Sequence, residues 1–154
     1  MDNLRVATAQ FENRSNDKEF NLSVIDKISK QAADDGADVI AFHECSVTGF
    51  TFARNLTKEQ MLDISEIIPN GKSTTRLIEI AKKNEIVILA GLFEKTEQHE
   101  LYKAYVCVDR NGVKAKYRKL HPFINKYLNP GNTYVVFDIH GWKCGILICV
   151  MIII

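Results

Sequence analysis

Two short β-compatible runs with one helical stripe between them, over residues 4–42, narrow the fold more than any other feature of the chain. Residues 4–11 (Leu-Arg-Val-Ala-Thr-Ala-Gln-Phe) form a compact strand-like run, and the polar stretch 12–17 reads as a loop. Within residues 18–35 the apolar side chains Phe20, Val24, Ile25, Ile28 and Ala32 fall on one face of a helix, with Gly36 suited to its exit. Residues 38–42 (Asp-Val-Ile-Ala-Phe) then return as a second strand. Strand, helix and strand make a βαβ unit, which implies a parallel, covered sheet and an α/β fold.

The rest of the chain extends that sheet. Residues 57–67 read as a short helix, Pro69-Asn70-Gly71 as a turn, and residues 73–84, with Leu77, Ile80 and Ala81 at helical spacing, as a further helix. Residues 86–92 (Ile-Val-Ile-Leu-Ala-Gly-Leu) are too few for a membrane span and predict a third, buried strand. Runs 101–109 and 113–118 flank Arg110-Asn111-Gly112, a hairpin signal that makes the sheet mixed. Residues 119–132 hold two prolines and read as a loop. Two more strands are expected at 134–139 and 142–149, the second a buried apolar run (Gly-Ile-Leu-Ile over 145–148) that delivers Cys149 at its end, with Trp142 in the core. With no internal repeat and no linker, a single domain over 1–154 is expected.

Charge and composition exclude some partners. The net charge of +1, from 20 basic and 19 acidic residues, gives no reason to expect nucleic acid or an anionic membrane as a partner. The N-terminus lacks a basic segment followed by a long apolar core, so a cytoplasmic location is expected. Cys45, Cys107, Cys144 and Cys149 are then expected as free thiols; neither they nor the scattered His43, His99, His121 and His140 show zinc spacing, so no metal is expected.

Three reactive residue types stand where strands end, the place at which open α/β sheets gather ligands: Glu44 after the second strand, Lys119 after the hairpin, Cys149 after the last strand. A thiol attacks as thiolate and needs a base; a carbonyl or nitrile under attack needs a cation or hydrogen-bond donors. Glutamate, lysine and cysteine supply the three. Taken singly, each has a plainer reading: a loop charge, part of the solvated basic run Lys114-Ala-Lys116-Tyr-Arg118-Lys119, and a small core residue.

The strings around them act together. Phe42-His43-Glu44-Cys45-Ser46-Val47-Thr48-Gly49-Phe50, Tyr117-Arg118-Lys119-Leu120-His121, Tyr127-Leu128-Asn129-Pro130-Gly131-Asn132 and Cys144-Gly145-Ile146-Leu147-Ile148-Cys149 come in this order. In that order the chain resembles the nitrilase superfamily of carbon-nitrogen hydrolases. The resemblance implies an αββα sandwich, with Glu44 as general base, Lys119 as the cation and Cys149 as nucleophile. It also implies hydrolysis of amides, carbamoylated amines or nitriles through a cysteine thioester, no metal or organic cofactor, small-molecule substrates and homo-oligomers.

Three departures from the family pattern stand out. Leu101-Tyr102-Lys103-Ala104 carries a lysine where the family commonly has asparagine, and the loop after Lys119 has no second glutamate. After Cys149 the family continues with an aromatic residue and an acid, whereas Val150-Met151-Ile152-Ile153-Ile154 stands here. The expectation is therefore roughly the N-terminal half of the fold, with impaired turnover. A non-catalytic fragment or pseudoenzyme that associates with full-length subunits is the alternative.

Overall fold

The computed structural model describes residues 3–148; Cys149, the expected nucleophile, lies outside the described residues. Its centre is a mixed sheet in the order β1 (Val6–Ala9), β2 (Val39–Phe42), β3 (Val87–Lys95), β4 (Leu101–Asp109), β5 (Gly112–Arg118). The first three strands run parallel, with Val6 beside Val39 and Val39 beside Val87, as the βαβ pattern requires. β4 and β5 add antiparallel. The hairpin turn is set by Asp109, whose Oδ1 accepts from Asn111 N at 2.7 Å, and by Gly112 at a φ of +134°.

Among the described residues, three α-helices accompany the sheet: α1 (Lys18–Asp34), α2 (Lys58–Ile64) and α3 (Lys72–Asn84). Asp17 starts α1 by accepting from Phe20 N at 3.0 Å, and Gly36 leaves it at a φ of +82°. The buried stripe of α1 is Asn21, Leu22, Ile25, Ser29 and Ala32, rotated from the expected one; Phe20, Val24 and Ile28 are only half-buried. The rotation has a polar cause. Asn21 Nδ2 donates to Arg14 O at 2.8 Å and to Val47 O at 2.9 Å, while its Oδ1 accepts from Arg14 N at 2.8 Å. A side chain so fully satisfied is tolerated inside, and it ties the loop before α1 to the loop after β2.

α1 and α3 cover one sheet face, where Leu22, Ile25, Leu77 and Ile80 pack against Ile40, Phe42, Ile88, Leu92 and Val106. Each such side chain contributes about 1.5–3 kcal/mol of burial. The opposite face presents Val39, Val87, Tyr105, Cys107 and Tyr117 to Ile139 and Ile146. These last two come with a two-stranded sheet, β6 (Val136–Ile139) and β7 (Trp142–Gly145).

Here the structure corrects the sequence reading. β7 stops at Gly145 because its partner stops: Gly145 already stands opposite Val136, the first residue of β6, so nothing remains to pair with the residues beyond. Ile146 is buried but Leu147 is 77% exposed, so the run 145–148 is not a buried strand, and Trp142 is 38% exposed rather than core.

α2 is also shorter than expected. A capping box of Thr57 and Gln60 opens it. It closes before Glu66, which bonds to β3 through Glu66 N to Phe93 O at 3.1 Å and Lys95 N to Glu66 O at 3.0 Å. Among the described residues, no helix is long and apolar enough to cross a membrane.

Candidate active site

The chain leaves β2 at Phe42 into a tight turn carrying His43, Glu44 and Cys45, with Cys45 in the left-handed region at a φ of +53°. The turn closes on itself through Ser46 N to His43 O at 3.1 Å and Gly49 N to Cys45 O at 2.8 Å. It is fastened to β3 by Val47 N to Gly91 O at 3.0 Å and by Gly91 N to Ser46 Oγ at 3.2 Å. Asn13 and Asn21 donate from outside to Cys45 O and Val47 O. With its backbone held this way, the turn projects Glu44 over the sheet face opposite the helices.

Lys119 reaches the same place from the end of β5. Its backbone N–H continues the ladder onto Lys103 O at 2.9 Å, and its carbonyl accepts from Gly131 N at 2.9 Å. That second bond requires a glycine, since a Cβ at Gly131 would stand 2.1 Å from Arg118 O. The Pro130-Gly131 pair thus lies directly on the strand end that carries the lysine.

The structure brings Glu44 and Lys119 together: Lys119 Nζ donates to Glu44 Oε1 at 2.6 Å. The lysine side chain is fully buried, while Glu44 is 26% exposed. A second ammonium reaches the same oxygen. Lys103 Nζ, on β4, is 3.1 Å from Glu44 Oε1 and is also fully buried. The ring of Phe50 lies 4.1 Å and that of Phe123 5.2 Å from Lys103 Nζ, and Phe123 O is 3.4 Å away. Burial pushes the Lys103 ammonium below the ordinary lysine range, with Glu44 pulling the other way.

Sequence reasoning set Lys103 apart as a departure from a family pattern and did not place it in the site. The available signal was alternation: on β4 the side chains of Leu101, Lys103, Tyr105 and Cys107 share one buried face, where a lysine is out of place without a partner. The basic run 114–119 is only partly a solvated face: Lys114 is exposed. Lys116 and Arg118 pair with buried Glu94, and Lys119 turns to Glu44.

Glu44 also lines a cleft of about 390 Å³, together with Ala41, Phe42, Leu89, Tyr105 and residues 145–148. The chain that leads into Cys149 therefore forms one wall of the cleft into which Glu44 faces. The other cysteine in the turn is unsuited to attack: burial pushes the Cys45 thiol up to about 12, which keeps it protonated. The arrangement joins a carboxylate able to take a proton, a buried cation beside it and a cleft for a small molecule.

Residues 5–153 match the family model described as Carbon-nitrogen hydrolase. A nitrilase from Pyrococcus abyssi (strain GE5 / Orsay) is 33% identical over 149 residues, covering 95% of this chain and 55% of the relative. An omega-amidase from Mus musculus is 29% identical over 163 residues, covering 97% of this chain and 55% of the relative. The chain thus spans about half the length of these curated relatives. Among solved structures, an amidase from Nesterenkonia sp. superposes with a TM-score of 0.75 at 21% identity, over 95% of this chain and 55% of the other. A Saccharomyces cerevisiae protein of branch 10 of the nitrilase superfamily superposes with a TM-score of 0.79 at 21% identity, again over 95% and 55%. These two share the fold.

Proposed function

This chain belongs to the carbon-nitrogen hydrolase family, and we propose that it is one domain, residues 1–154, contributing the Glu44, Lys119 and Cys149 machinery of an amide hydrolase. The observation that carries the reading is the 2.6 Å contact of Lys119 Nζ with Glu44 Oε1, where Glu44 lines a cleft walled by the residues that precede Cys149. Glu44 takes the thiol proton and the Cys149 sulfur attacks the carbonyl carbon. The oxyanion that forms is stabilised by the Lys119 ammonium and by a backbone N–H after the cysteine. Collapse breaks the carbon-nitrogen bond, and the amine leaves with the proton that Glu44 held. Water then attacks the thioester, Glu44 removes its proton, and the acid and the free thiol are restored.

An amide is preferred over a nitrile as substrate because the relatives with named activities include omega-amidases and the solved neighbours include amidases. No cofactor takes part in this scheme. Cytoplasmic location and homo-oligomeric assembly belong to the same reading.

Mass spectrometry of the protein tests the scheme. Incubation with short aliphatic amides is expected to leave an acyl adduct on Cys149 that is absent from Cys149→Ala. Turnover that survives in Cys149→Ala would sink the reading.

A further inference from the structure

Glu44 receives two buried ammonium groups where one would neutralise it. Placing a lysine side chain at zero exposure costs several kcal/mol unless its charge is met, and an apolar residue of similar volume would fill the same space without that cost. Lys103 is therefore poorly explained as packing. Nor is it placed to hold a ligand. Its Nζ is enclosed by Glu44 Oε1 at 3.1 Å, Phe123 O at 3.4 Å and the rings of Phe50 and Phe123, so its contacts are taken up by the protein.

The geometry has one clear product. Lys103 and Lys119 come from neighbouring strands, joined by Lys119 N to Lys103 O at 2.9 Å, and both ammoniums make their nearest approach to the same oxygen, Oε1. Held from two sides at Oε1, the carboxylate keeps one rotamer, and Oε2 is the oxygen less tied by cations. We infer that Lys103 is a positioning residue, a second cationic clamp that fixes the Glu44 carboxylate for proton exchange with the nucleophile. The inference rests on the reading of Glu44 as the base.

The clamp works only while Lys103 is charged. Burial, the largest influence, lowers its value, and Lys119 at the end of β5 acts the same way; Cys45 and Glu44, which face it from the turn after β2, oppose them but do not prevail, so its deprotonation lies below the ordinary lysine range. The rate is thus tied to the Lys103 proton on the alkaline side.

The test uses the protein and two readouts against pH: amide turnover, and the rate of Cys149 alkylation by iodoacetamide. In the wild type, kcat/KM is expected to fall on the alkaline side before the ordinary lysine range near about 10.4. Lys103→Met is expected to lower kcat roughly 10- to 100-fold with KM changed less than about threefold, to slow Cys149 alkylation at neutral pH, and to lose the alkaline fall. Lys103→Arg, whose charge does not titrate, is expected to recover part of kcat and to carry the fall to higher pH. Superposable profiles for wild type and Lys103→Met overturn the inference, and so does a variant that changes KM alone. Should neither variant fold, a wild-type profile with no alkaline fall below the lysine range overturns it. A wild type that turns over no amide defeats the hydrolase reading, while the alkylation rates still decide on Lys103.

Discussion

Gly91 lies so close beneath Cys45 that a Cβ on it would stand 2.5 Å from Cys45 N. The turn that carries Glu44 rests on the bare backbone of β3, and the contact is with main chain, which cannot swing aside. Gly91→Ala is therefore expected to push the turn off the sheet. It should cost about 1–3 kcal/mol of stability, as overpacking does, and lower turnover out of proportion because Glu44 moves with the turn. Thermal unfolding and kcat measured together check this; an unchanged midpoint with full activity would show that the turn has other ways to sit.

Glu44→Gln keeps the shape and one acceptor oxygen but removes the charge that both lysines share. Turnover is expected to fall roughly 10²- to 10⁴-fold, the range of a lost general base. Stability is expected to fall as well, because two buried ammoniums lose their anion. Steady-state assay beside a denaturant titration separates the two effects. A variant that keeps near wild-type turnover would remove Glu44 from the chemistry.

Much of the frame was legible in the sequence, and the reasons are local. The βαβ start, the Asn-Gly hairpin and the positions of Glu44 and Lys119 at strand ends all follow from short-range periodicity and turn chemistry. What escaped was decided by partners far along the chain. Asn21 is absent from the expected apolar stripe, yet Arg14 and Val47 make it core. Glu66 looks like the tail of a helix until Phe93 is seen to take its N–H. Lys103 announces itself only when its strand is known to bury that face, and residues 146–148 form no strand because the opposite backbone ends at Val136. Periodicity says which way a side chain points; it does not say whether a partner waits there.

The cysteines should separate by reactivity. Burial pushes both Cys45 and Cys107 up to about 12, so at pH 8 both are essentially thiols. Limited treatment with iodoacetamide followed by peptide mass mapping is expected to leave them unmodified while Cys149 is labelled. Labelling of Cys45 at a rate comparable to Cys149 would contradict the burial of the turn and reopen the choice of nucleophile.

Glu94 makes the stability of the sheet depend on acid. Its side chain is 2% exposed and receives Lys116 Nζ at 2.6 Å on Oε1, together with Arg118 Nε at 2.8 Å on Oε2 and Arg118 Nη2 at 2.8 Å on Oε1. The Arg118 guanidinium also lies 3.7 Å over the ring of Tyr102. Burial alone would raise the carboxyl, but Arg118 and Lys116 outweigh it and hold it below the usual carboxylate range. A folded-state value below the unfolded one, about 4.3, means that the unfolded chain binds the proton first. The stabilisation is therefore fully present above that pH and is lost as pH falls through the folded-state value. Glu94→Gln is expected to be less stable than wild type by about 1–3 kcal/mol at pH 7, the worth of hydrogen bonds to a charged group. The difference should shrink as the pH is lowered past 4, since wild-type Glu94 then becomes neutral too. Urea midpoints for both proteins from pH 7 to pH 3 measure it, and a gap that stays constant across the range would show that the Glu94 charge contributes nothing to holding β3, β4 and β5 together.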